Sequence, residues 1–224
     1  MTRLRLAAGL ALLCAGCYYP RFLTPDVLDP GQHALGLGAT AGLGIGRDNP
    51  GLAGIDGDLF YRAGMGDNVD GGLRAVYSAA PPRGSEYPST RSVTFIADAR
   101  YQAYEDPLAA AGAAVAYTRP LTSTANSLVT VTLGGTVGSE RVYGGLGLVL
   151  ETEIDRNLGL ITRGPAPYLT VGAALGRRYK VLPQIGLYFD GRAIELNRLA
   201  LHVGVGAQYV IGLIDRDDSP GFWQ

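Results

Sequence analysis

Apolar residues alternate with small or polar ones along most of this chain, and a period of two admits only one kind of element. From His33 to Gly46 the odd positions Leu35, Leu37, Ala39, Ala41, Leu43 and Ile45 are apolar, while Gly36, Gly38, Thr40, Gly42 and Gly44 between them are small. Such alternation places the two sets on opposite faces of a β-strand. The pattern returns in Ile55 to Met65, Gly71 to Ala79, Val93 to Tyr104, Leu108 to Tyr117 and Leu128 to Val137. It continues in Val142 to Glu153, Tyr168 to Arg178, Gln184 to Asp190 and Leu199 to Ile211. About ten strands are therefore predicted. Glycine makes up 33 of the 224 residues, about twice its usual share of roughly 7%, and opposes helix by about 1 kcal/mol at each interior position. No long segment carries apolar residues at helical spacing, so the chain reads as all-β.

The connections fall into two kinds. Tight turns are expected at Gly66 to Asp70, Glu105 to Pro107, Gly138 to Arg141 and Tyr179 to Pro183, and longer links at Ala80 to Arg91 and Ile154 to Ala166. An even number of antiparallel strands with short and long connections in turn resembles the bacterial outer-membrane barrels, which have short periplasmic turns, longer external loops and both termini inside. The resemblance covers Gln32 to Gly212. Gly204, Gly206, Tyr209 and Ile211 in the last strand resemble the assembly signal of that class, whereas the polar tail from Asp215 to Gln224, with Phe222 and Trp223, departs from it. The fold expected is an antiparallel up-and-down β-barrel over residues 32–212, with a polar tail over 213–224.

The two faces of the strands differ in kind. One parity holds Leu, Val, Ala, Phe and Tyr; the other carries Asp56, Asp58, Arg62, Arg74, Asp98, Arg100, Glu151, Glu153, Arg178, Asp190 and His202 among many glycines. In a soluble barrel this glycine-rich face would meet water, where glycine packs nothing and weakens the strand. In a membrane barrel it would line a narrow interior that gives the charges room. Ten residues rising about 3.3 Å each and tilted by about 45° span roughly 23 Å, close to the apolar band of such barrels. Tyr61, Tyr77, Tyr101, Tyr168 and Tyr209 share the apolar parity near strand ends, where interfacial girdles lie. Inside, Arg62, Arg74, Arg100 and Arg178 are expected to meet Asp56, Asp58, Asp98, Glu151 or Asp190, with His202 in the same network, since an unpaired charge in a narrow interior is costly.

The chain opens with an export signal. Arg3 and Arg5 precede an apolar run from Leu6 to Leu13, then Ala15, Gly16 and Cys17; the run is far shorter than the roughly 20 apolar residues a spanning helix needs. Leu13-Cys14-Ala15-Gly16-Cys17 resembles the lipobox of bacterial lipoproteins, which implies removal of residues 1–16 and acylation of Cys17. The departure is Cys14, where the family usually has leucine. Tyr18 follows where an inner-membrane retention signal commonly shows Asp, so the resemblance favours the outer membrane. Two or three acyl chains would anchor firmly, because each buried methylene contributes about 0.8 kcal/mol. Residues 17–31, with Pro20, Pro25 and Pro30, read as an extended tether whose Tyr18, Tyr19, Phe22 and Leu23 either rest at the membrane surface or dock under the barrel. Cys14 and Cys17 are the only cysteines, so processing leaves no intrachain disulfide.

Chemistry is sparse. The chain has no Gly-x-Ser-x-Gly elbow, paired-cysteine framework or His-Glu-x-x-His, and its two histidines, His33 and His202, make no evident site. Asp67 to Gly71 has Val69 at a required calcium-ligand position and reads as a turn. A net charge of −1 and a pI near 6.1 offer no basic field for nucleic acid. The expectation is a lipid-anchored protein of the cell outer membrane, without enzymatic activity or cofactor, acting structurally or through its external loops. Its partners would be outer-membrane lipid and an envelope protein. The alternative is a periplasmic lipoprotein whose soluble barrel binds an apolar ligand or a partner protein.

Overall fold

The computed structural model describes residues 22–45, 51–80, 90–105, 108–121, 126–155, 159–189 and 199–212. Ten antiparallel strands run in chain order: β1 (His33–Ile45), β2 (Gly51–Gly66), β3 (Val69–Ala80), β4 (Thr90–Glu105), β5 (Leu108–Pro120), β6 (Ser127–Gly138), β7 (Val142–Asp155), β8 (Gly159–Ala173), β9 (Tyr179–Phe189) and β10 (Leu199–Ile211). Each pairs with its neighbours in sequence, and β1 closes on β10 in an unbroken register from His33↔Ile211 to Ile45↔Leu199. The expected up-and-down barrel is the observed fold. Closure leaves no sheet edge between the first strand and the last.

The short turns and both ends of the barrel wall share one end of the cylinder. There β2 turns into β3 through Asp67 and Asn68, the latter at φ 62, which asparagine tolerates better than most residues. The opposite end carries the other connections.

Three boundaries differ from the sequence reading. The link expected over Ile154 to Ala166 is mostly strand, since β7 runs to Asp155 and β8 begins at Gly159. Gly164, at φ 106, and Pro165 lie inside β8 where the β7 register slips between Val149 and Glu151. A bulge absorbs the residue pair that alternation cannot. The last tight turn lies before Tyr179, not over Tyr179 to Pro183: Leu175 and Val181 exchange backbone hydrogen bonds of 2.9 and 2.8 Å, and Pro183 sits inside β9 opposite Val205. Asp70, expected in a turn, is the second residue of β3.

Polarity is reversed relative to a water-soluble domain. Leu37 (63% exposed), Leu59, Leu73, Val115, Leu146 (64%), Val171, Ile185 and Val205 point outward. Asp56, Asp58, Arg62, Arg74, Arg100, Glu151 and His202 are buried inside. Tyr61, Tyr101, Tyr104 and Tyr179 are exposed at the short-turn end, with Tyr209 stacked on Tyr179 at 4.7 Å between centroids, while Tyr77 and Tyr117 are exposed toward the other end. Tyr168 is the exception among the expected girdle residues. It points inward, 3% exposed, and packs with Val149, Ala166 and Tyr188, because β8 presents Ala166, Tyr168 and Thr170 to the lumen.

Candidate functional site: a lumen filled by ion pairs and by the N-terminal segment

The interior at the short-turn end is organised around Asp70. Its side chain is fully buried and accepts from Arg62 Nη2 and from Arg100, through Nε at 2.9 Å and through Nη2. Arg62 also donates through Nη1 to Asp98 Oδ1 at 2.5 Å. Two guanidiniums and two carboxylates thus form one neutral cluster joining β2, β3 and β4, as expected where a lone buried charge would be heavily penalised. Farther along the lumen, Arg74 Nη1 lies 3.5 Å from Asp58 Oδ1 with its guanidinium carbon 5.1 Å from the Phe60 ring centre, and Tyr188 donates to Glu151 at 3.1 Å.

Of the ten residues expected in this network, Asp56, Asp58, Arg62, Arg74, Asp98, Arg100, Glu151 and His202 lie in inward-facing positions. The ion pairs observed join Arg62, Arg74 and Arg100 to Asp58, Asp70 and Asp98. His202 faces inward between Gly42 and Gly186 of the flanking strands. Arg178 is a correction: it is exposed in the turn between β8 and β9, because the strand it was assigned to ends at Ala173. Asp190 lies outside the described residues, as does Cys17. Asp70 escaped the reading because it was placed in the turn; yet its parity with Gly72, Arg74 and Ser78 is the inward one.

The tether does not lie flat under the barrel. Residues 22–28 enter the lumen, with Phe22, Leu23, Pro25, Val27 and Leu28 all buried. Phe22 joins Phe60, Tyr143, Ala174 and Leu182 in one apolar cluster. Its ring lies against Gly38 so closely that a Cβ there would sit 2.4 Å from Cε2, and a Cβ on Gly204 or Gly206 would come within 3.1 or 3.0 Å of the same ring. At the rim, Leu28 packs on Ala34 and Val210, the residues next to the paired ends of β1 and β10. Gly64 gives the chain passage: a Cβ on it would stand 1.9 Å from the carbonyl oxygen of Asp29.

The barrel wall holds this segment through its main chain. Phe22 N–H donates to Gln184 Oε1 at 2.6 Å, Val27 N–H to Gln102 Oε1 at 3.1 Å and Leu28 N–H to Asp70 Oδ2 at 3.1 Å. Arg100 donates to the carbonyl oxygens of Thr24 and, at 3.3 Å, of Asp26. One ion pair is specific to a side chain: Lys180 Nζ meets Asp26 Oδ2 at 3.2 Å. A small cavity of about 30 Å³ remains between Leu23, Arg100, Ala110, Ala114, Thr132 and Tyr168. Among the described residues no group of His, Cys, Asp and Glu is placed to hold a metal ion.

No family model and no curated protein matches this chain. Solved structures with a similar shape include Neisserial surface protein A (8% identity, 80% of this chain and 98% of that one, TM-score 0.38). Others are the translocator domain of autotransporter NalP from Neisseria meningitidis (12%, 80% and 87%, 0.42) and the attachment invasion locus protein Ail of Yersinia pestis (10%, 81% and 99%, 0.33). These likenesses concern the barrel alone.

Proposed function

We propose that this chain is an outer-membrane β-barrel, held additionally by acyl chains on Cys17, that works as a structural or interaction module through its loop end and not as an enzyme. The carrying observation is the reversed polarity. A belt of outward Leu, Val and Ile lies between tyrosines near both ends, around an interior of ion pairs. In water this belt would form a contiguous apolar surface far beyond the few hundred Å² usual for a monomer; in a bilayer it is the matching surface. A soluble carrier of apolar ligands needs the opposite arrangement.

Two features support a role at the loop end. Among the described residues, β8 pairs with β7 from Gly159 onward but with β9 from Tyr168 to Gly172, so the β7–β8 hairpin runs on beyond those pairs with β9. The luminal carboxylates of Asp58, Asp70 and Asp98 are each engaged by a guanidinium, the arrangement of a structural interior.

The test is Cys17→Ser. It is expected to block acylation and leave an uncleaved precursor that still needs detergent for extraction. Cys14→Ser is expected to change neither processing nor acyl mass. A Cys17→Ser product soluble without detergent refutes the spanning barrel, and a mature N-terminus elsewhere, without acyl mass, refutes the anchor.

A further inference from the structure

We propose that the lumen at the short-turn end is a peptide-binding site, occupied here by the chain's own residues 22–28, that accepts an extended segment of another polypeptide when these residues withdraw. The inference uses the closed barrel and its luminal contacts, and does not depend on the membrane placement proposed above.

Three observations carry it. First, the wall is complete without the segment: β1 to β10 pair around the full circle, and among the described residues the one bridge from the N-terminal stretch to the wall is Pro30↔Gly64, at the rim beyond residues 22–28. An occupant outside the hydrogen-bonded wall can leave without opening it. Second, the contacts are those of a receptor for main chain. Gln184, Gln102, Asp70 and Arg100, from β9, β4 and β3, reach inward to the N–H groups of Phe22, Val27 and Leu28 and the carbonyls of Thr24 and Asp26. Backbone groups are common to all peptides, so this half of the recognition is indifferent to sequence. Third, two contacts supply selectivity. A deep aromatic pocket, floored by glycines, takes Phe22, and Lys180 near the rim takes the carboxylate of Asp26.

The ligand class follows: an extended peptide bearing an aromatic residue, with an acidic residue four positions later, entering from the short-turn side. The wall groups also explain why the site does not stay empty. Asp70, Arg100 and Gln184 are buried with the segment in place, and its main chain supplies partners that they would otherwise have to find in water. On the reading proposed above, this mouth faces the periplasm, where extended segments of envelope proteins are available.

The experiment keeps the full chain and lets it fold first. A protease site is inserted between Gly31 and Gln32, at the exposed turn before β1, and the folded protein is cleaved in detergent. The probe is a fluorescent synthetic peptide spanning residues 20–31 of this chain. The expected result is saturable uptake by the cleaved protein, none by the uncleaved one, and affinity roughly a hundredfold or more weaker for the Phe22→Ala peptide, as loss of a buried phenyl implies. A peptide with a shuffled sequence that keeps the aromatic and the acid four residues apart is expected to compete. Retention of the cleaved segment without exchange, its departure without uptake of the probe, or equal affinity of the Phe22→Ala peptide each overturns the proposal. So does loss of the folded barrel on cleavage, since the segment is then part of the wall's stability and not a ligand.

Discussion

Replacing Asp70 with alanine tests the interior most directly, because three separate groups depend on its two oxygens. Arg62 and Arg100 lose their shared acceptor, and the N–H of Leu28 loses its partner. The cluster of Arg62, Arg100, Asp70 and Asp98 then passes from neutral to a net charge of +1 at a site closed to water. Removing one partner of a buried ion pair costs about 3 to 5 kcal/mol, and an orphaned N–H adds about 1. Asp98→Ala is expected to cost less, about 1 to 3 kcal/mol, because Arg62 keeps Asp70. The assay is urea unfolding of the detergent-folded or vesicle-folded barrel, followed by the gel-mobility difference between folded and unfolded forms. A double-mutant cycle with Arg100→Ala should show strong coupling, since the second substitution restores charge balance. Asp70→Ala within about 1 kcal/mol of the parent, or Asp98→Ala equal to it, refutes the view that Asp70 is the hub.

Two further outcomes are expected. Arginine in place of Val131, Leu146 or Val171, all outward-facing, should each cost roughly 2 to 4 kcal/mol of barrel stability; ready labelling of Leu146→Cys by a water-soluble thiol reagent in intact membranes would contradict this facing. In planar bilayers the purified protein should show little or no steady conductance, since ten strands leave a narrow lumen and the N-terminal segment occupies part of it; reproducible large channels would move the function to transport.

Alternation alone made the strand number and the facing readable, because a slip of one residue would turn every Leu of β1 into the lumen and every glycine to the outer face. It failed where the chain departs from period two. At Gly164-Pro165 a bulge lets β8 run on through two residues that locally signal a turn. Tyr168 carries the same side chain as the girdle tyrosines, but it stands at opposite parity to the outward Leu169 and Val171, so alternation itself places it inward. Asp70 shows a subtler limit: a carboxylate two residues after Asn68 is as suited to a turn as to the start of a strand, and only the arginines across β2 and β4 decide. The luminal segment is the deepest case. Phe22 to Leu28 has no periodicity, because its polar partners are the side chains of Gln102, Gln184, Asp70 and Arg100, residues 42 to 162 positions away in sequence. What the sequence does carry is the complement on the wall. Gly36, Gly38, Gly204 and Gly206 lie at inward positions of the two strands that meet at closure, and such a run of missing side chains in a packed interior calls for something else to fill the space. Phe22, with two prolines and two leucines following it within eight residues, is the apolar segment nearest in sequence to that gap.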